Sequence, residues 1–276
     1  MRALCYEKPA SAEAIVKLLG DGVALLAGGT DLLAQIRSRL VRPALLVDIK
    51  GAEELRQLRR GGDGLSIGAA VFLNRLLEER DTLAGHRALT EAVADLASYP
   101  IRNRATLVGN VANASPCADT VPPLVVMDAR VELLGPAGAR QVPVVELITG
   151  NRETTRAADE LVTRVIVPPL PHGGWSGFLK HKRVRGHDLA LASAALLRDP
   201  ERRRLRLSVG SCSPRPVLVE LDDMYGKPDV EEAVRRCQGG IQPIDDVRAS
   251  IEYRRDMVAV MVHRLFAKMS RDGGAA

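Results

Sequence analysis

Aromatic side chains are scarce in this 276-residue chain, at 3% of residues with a single tryptophan, Trp175. A protein that holds single-stranded nucleic acid by base stacking needs a row of aromatics, so a nucleic-acid partner is not expected. Cysteines stand far apart at 5, 117, 212 and 237 and never form a Cys-x-x-Cys pair. Zinc and iron–sulfur centres normally show paired spacing, so none is expected in this chain, and Cys117 reads as a small packed thiol. The five histidines are equally dispersed, and His181 and His187 carry no metal-ligand pattern. No apolar run approaches the ~20 residues of a membrane span. Glu7, Glu13 and Lys17 interrupt the stretch that a secretory leader would keep apolar. The expectation is a cytoplasmic chain with no membrane span and no metal of its own.

What is present is ordinary for a globular protein: 46% hydrophobic and 26% charged residues. The length suits about two domains at ~150 residues each. Lys and Arg number 39 against 34 Asp and Glu, a net charge of +5. Clusters such as Arg202-Arg203-Arg204 suit either solvated turns or a surface for an acidic partner.

The first fifty residues read helix, strand, glycine turn, helix, strand. Ser11 caps a helix through about Leu19, a strand covers 23–27, and Gly28-Gly29-Thr30-Asp31 opens a helix bearing Leu32, Leu33, Ile36 and Leu40. A strand at 44–48 follows. Further strands are expected at 65–69, 130–134, 161–167, 189–197 and 205–209, with helices near 71–80, 86–98, 229–237 and 250–269. The tail at 271–276 is expected to fray. Periodicity is lost from 100 to 123, a stretch rich in Asn, Gly, Ala, Ser and Thr, and so long an irregular segment is usually functional. Pro168-Pro169-Leu170-Pro171-His172-Gly173-Gly174 is the clearest domain boundary.

Two segments carry chemical interest. In Leu25-Leu26-Ala27-Gly28-Gly29-Thr30-Asp31-Leu32 a strand feeds a glycine turn into a helix start, a setting that exposes backbone N–H groups to an anion such as a pyrophosphate. The same residues equally suit a plain tight turn. The P-loop pattern is missing, and Gly62-Asp63-Gly64-Leu65-Ser66-Ile67-Gly68 has the wrong spacing and position for a Rossmann fingerprint. The second segment, IRNRATLVGNVANASPCAD at 101–119, alternates small residues with short hydrogen-bonding side chains. That composition suits close approach to a ligand or a packed surface loop.

Taken together and in order, LLAGGTDLL and IRNRATLVGNVANASPCAD closely resemble the FAD-binding medium subunits of the molybdenum hydroxylases, such as those of xanthine dehydrogenase and carbon monoxide dehydrogenase. The resemblance runs from YEKPASAEAIVKLL through FLKHKRVRGHDLALAS to IDDVRASIEYRRDMVAVMVHRL. It implies an α+β protein: a PCMH-type FAD-binding domain at 1–170, made of two α+β subdomains at about 1–52 and 53–170, then a C-terminal α+β domain at 175–276. It implies FAD in this chain, held by Ala27, Gly28, Gly29, Thr30, Asp31, Leu32, Thr106, Gly109, Asn110, Asn113, Asp119, Val162 and Lys180, with Asp188 supporting the site. No catalytic side chain is implied.

By the same resemblance the protein is an oxidoreductase subunit that transfers electrons. A small [2Fe–2S] subunit and a large subunit with a molybdenum–pterin cofactor are the implied partners, assembled as a dimer of heterotrimers. Electrons pass from the clusters to FAD and on to an external acceptor: NAD, a quinone, ferredoxin or oxygen. Two alternatives stand beside it, a flavin-free scaffold subunit of the same complex and a stand-alone FAD-dependent reductase. One departure bears on the first alternative. The family usually has Thr-x-Gly-Gly-Asn, and this chain has Thr106-Leu107-Val108-Gly109-Asn110. A β-branched valine disfavours positive φ, so either this position is extended or the loop is altered.

Overall fold

The structure, a computed structural model, describes residues 4–79 and 82–273. The N-terminal unit contains β1 (Cys5–Glu7), α1 (Ala12–Val16), β2 (Val23–Leu26), α2 (Leu32–Arg37) and β3 (Leu45–Asp48). Its three strands pair in parallel in the order β1-β3-β2. The Ser11 side chain accepts the Ala14 N–H at 3.2 Å and starts α1 as expected. The helix ends earlier than Leu19, because Leu18 and Leu19 donate to carbonyls three residues back and tighten the last turn.

The second unit opens with β4 (Leu58–Gly61) and β5 (Gly64–Gly68), followed by α3 (Leu73–Glu78) and α4 (Arg87–Asp95). Residue 80, the end of the helix expected over 71–80, lies outside the described residues. The stretch expected to be irregular is in fact a chain of short helices: α5 (Tyr99–Arg102), α6 (Leu107–Ala112) and α7 (Val121–Val126). Each is too short for an amphipathic period to register, and prolines sit in the first turns of α5 and α7, where their missing N–H costs nothing. The unit closes with β6 (Arg130–Gly135), β7 (Gly138–Pro143), α8 (Val144–Leu147), the small hairpin β8 (Ile148–Gly150) and β9 (Glu153–Thr154), and β10 (Leu161–Val167). Its antiparallel sheet runs β4-β5-β10-β6-β7. Ile15 and Val47 of the first unit share one buried core with Leu65, Leu89, Leu107, Leu124 and Val165 of the second.

The C-terminal unit is a four-stranded antiparallel sheet, β11 (Trp175–His181), β12 (Ala192–Asp199), β13 (Arg204–Gly210) and β14 (Val217–Glu220), with α9 (Val230–Gly240) and α10 (Ile251–Arg271). β12 is apolar on both faces: Ala195 and Leu197 join the core of the second unit, while Ala194 and Leu196 join Val258, Val262 and Leu265 of α10. Strand alternation thus makes one sheet the wall between two cores. Arg254 of α10 is buried and donates to the Leu191 and Ser211 carbonyls and to Asp246. Of the tail expected to fray, Arg271 still belongs to α10 and Asp272 is held by Arg87 at 2.6 Å; residues 274–276 lie outside the described residues.

Of the Arg202-Arg203-Arg204 cluster, Arg202 pairs with Asp199 and Arg204 with Asp128, while Arg203 stacks on Tyr225. Among the described residues no helix is long and apolar enough to cross a membrane, and no group of His, Cys, Asp or Glu is arranged to hold a metal ion.

Candidate functional site

A cleft of about 360 Å³ opens between the first and second units. All of the sequence-predicted site residues except Asp119 and Lys180 line it: Ala27 to Leu32 from one wall, and Thr106, Gly109, Asn110, Asn113 and Val162 from the other. The walls meet at Gly28, where a Cβ would lie 2.1 Å from the Arg104 carbonyl oxygen, so only glycine permits this approach. Gly29 adopts φ +74°, which turns the chain out of β2 toward α2.

Lys50 ties the back of this turn. Its Nζ donates to the carbonyls of Leu26 (3.3 Å) and Ala27 (2.8 Å) and pairs with Asp48 at 2.6 Å. Among the described residues, no acceptor takes the backbone N–H groups of Gly28, Gly29, Thr30 and Asp31. The turn therefore presents unused donors in a cleft it lines, the arrangement an oxyanion requires.

On the opposite wall Thr106 caps α6, its Oγ1 accepting the Gly109 N–H at 3.0 Å. Thr120 donates to Asn110 Oδ1 at 2.7 Å, which fixes the amide's orientation. Val108 is an ordinary buried residue in the first turn of α6 and takes no positive φ. The valine is therefore helical and not extended as one expectation had it: helical geometry admits valine at modest cost.

Asp119 and Lys180 do not line the cleft; they meet each other, with Thr120, the next residue after Asp119, bonding the cleft-lining Asn110. Lys180 Nζ lies 2.6 Å from Asp119 Oδ2, and both side chains are almost fully buried, at 2% and 6% exposure. Lys180 also reaches the carbonyl of Asp95 at 3.5 Å, next to the cleft-lining Leu96. Asp119 Oδ1 is buried with no partner. Burial pushes the Asp119 carboxyl up to about 6 against the opposing pull of Lys180. Asp119 does not cap α7, whose N-cap is Thr120 without a side-chain bond. Asp188 stays in its own loop, pairing with Arg183 at 3.2 Å and accepting the Leu189 N–H. Cys117 sits with Sγ 3.7 Å from the Ala190 carbonyl.

Three basic residues at the site carried no readable sequence signal, being charges outside any motif. They are Lys50; Arg156, which lines the cleft and donates to the carbonyls of Ala157 and Glu160; and Arg152, which bridges Asp31 and Asn113.

Residues 2–170 match the family described as the FAD binding domain in molybdopterin dehydrogenase, and residues 178–269 match the CO dehydrogenase flavoprotein C-terminal domain. The chain is therefore of the flavoprotein-subunit class. It is 31% identical over 271 residues to the 6-hydroxypseudooxynicotine dehydrogenase complex subunit alpha of Paenarthrobacter nicotinovorans, covering 94% of this chain and 91% of that one. It is 30% identical over 271 residues to the carbon monoxide dehydrogenase medium chain of Hydrogenophaga pseudoflava, covering 94% of both. Among solved structures, quinoline 2-oxidoreductase from Pseudomonas putida 86 superposes with a TM-score of 0.89 at 26% identity, covering 98% of each chain. The chain belongs to the FAD-binding medium subunits of the molybdenum hydroxylases, an oxidoreductase family.

Proposed function

We propose that this chain holds one FAD in the cleft between its first two units and relays electrons from [2Fe–2S] clusters of a small partner subunit to an external acceptor. Substrate chemistry then falls to the molybdenum centre of a large subunit, in a dimer of heterotrimers. In this reading the cofactor domain spans 1–170 and the C-terminal domain 175–276.

The observation that carries the reading is that the cleft-lining turn Gly28–Asp31 has backbone N–H groups that no acceptor takes among the described residues, at a close approach to Arg104 that only glycine permits. These donors suit the diphosphate, while Thr106, Gly109, Asn110 and Asn113 suit hydroxyl-rich parts of the cofactor. Val162, on the bulged stretch of β10, supplies an apolar contact.

When bound, the flavin accepts single electrons and passes on pairs; the chain's residues position it and tune its surroundings. Lys180 and Asp119 do so as a buried ion pair whose charges are fixed in place by β11 and the turn before α7. No side chain is assigned to general acid or nucleophilic work. Val108, the sequence feature behind the flavin-free alternative, is accommodated in α6 and gives that alternative no support.

Gly29→Glu tests the reading, since it puts a negative side chain on the donor turn at a positive φ. The expected result is a folded chain whose flavin content falls several-fold in released-cofactor chromatography. Unchanged flavin content would contradict the placement.

A further inference from the structure

Asp31 is the one carboxylate among the described residues that line the cleft, and it stands at the end of the donor turn. A carboxylate there opposes any anion the turn receives. Arg152, at the tip of the β8–β9 hairpin, answers it: one Nη1 donates to Asp31 Oδ2 at 2.6 Å and to Asn113 Oδ1 at 2.7 Å. Asp31 belongs to the first wall and Asn113 to the second, so a single guanidinium bridges the two walls of the cleft.

The hairpin is built to hold it there. Arg152 takes φ +60°, a conformation that non-glycine residues seldom adopt, and its backbone N–H donates to the carbonyl of Ala114 at 2.9 Å. Ala114 is itself left-handed at φ +47°, so two uncommon backbone conformations meet in one bond beside Asn113. Gln35 donates to the same Asp31 oxygen at 2.8 Å. Partial burial pushes the Asp31 carboxyl upward, yet Arg152, Gln35 and Asn113 together bring it below the ordinary range.

We propose that Arg152 is a positioning residue for the cofactor: it neutralises Asp31 and latches the two walls of the cleft, and so slows FAD release. The inference rests on the FAD reading above. Arg152 need not touch the cofactor; it acts through Asp31 and Asn113. Because it is 46% exposed, the ion pair by itself contributes little to folding, so its removal leaves the chain folded.

The test is the FAD dissociation rate of the full chain, followed by the recovery of free-flavin fluorescence on dilution, with thermal unfolding as the control for folding. Arg152→Met should speed release about tenfold, equivalent to ~1.4 kcal/mol. Arg152→Lys, which keeps the charge but loses the planar fork, should fall between. Adding Asp31→Asn to Arg152→Met should restore most of the retention, because the uncompensated carboxylate is gone. A methionine variant that releases FAD at the wild-type rate overturns the latch while leaving the FAD reading intact. A double variant as fast as the single one overturns the neutralising role. A wild-type chain that takes up no FAD, either alone or with its partner subunits present, removes the FAD reading itself.

Discussion

Asp119 and Lys180 pair at 2.6 Å with almost no solvent around them, and the attraction does not cover the cost of burying the carboxylate. The folded chain therefore holds a proton on Asp119 more tightly than the unfolded chain does, at about 6 against the ordinary 3.8. A raised folded-state value means that this group's contribution to stability is complete below about pH 4 and is lost as the pH rises through about 6. In the cofactor-free chain, Asp119→Asn should consequently match the wild type in thermal midpoint at pH 4 and exceed it at pH 7. Lys180→Met should act in the opposite sense: without the ammonium the buried Asp119 carboxyl is pushed higher still and must take up a proton, so this variant should lose more stability between pH 4 and pH 7 than the wild type does. Both variants should retain less FAD. Thermal unfolding across pH 4–7, without and with FAD, checks these signs; an Asp119→Asn chain less stable than the wild type at pH 7 would show the ion pair to be a structural asset instead.

Among the elements, α6 illustrates how a binding wall is set by local capping. Thr106 Oγ1 accepts the Gly109 N–H and starts the helix that carries Gly109, Asn110 and Asn113 to the cleft. Thr106→Val keeps the shape but removes the acceptor, and should cost ~1 kcal/mol of stability together with weaker FAD retention. Paired chemical denaturation and FAD titration check it; a stability loss with unchanged affinity would confine Thr106 to capping.

The elements also differ in how far the sequence announces them. β3, β5, β6, β10, β12 and β13 are interior strands and carry apolar runs that read directly. β1, β4, β7, β11 and β14 all lie at sheet edges and went unread. β4 is Leu-Arg-Arg-Gly and β7 is Gly-Ala-Arg-Gln-Val-Pro, largely exposed and without a buried face to impose alternation. The cleft residues at 27–32 and 106–113 were legible through ordered motifs. Lys50, Arg152 and Arg156 were not, because a basic residue outside any motif looks the same whether it faces solvent or bonds to the site. Asp119 was named through its place in the motif, but only the fold brings Lys180 to it across 61 positions of sequence.

At the scale of the whole molecule, the first two units share one core, and β12 joins that core to the C-terminal one. The cleft walls thus rest on a shared core and are bridged by Arg152, and the groove between them is lined by a turn whose N–H donors are unused among the described residues. The proposed role of this groove is to hold the flavin. The direct measurement is the visible absorption spectrum of the purified chain, with the released cofactor identified by chromatography and the partner subunits supplied if the isolated chain loses it. The account predicts FAD at one per chain, with no iron–sulfur absorption from this chain. A folded, colourless chain that refuses FAD both alone and with its partners present would contradict it.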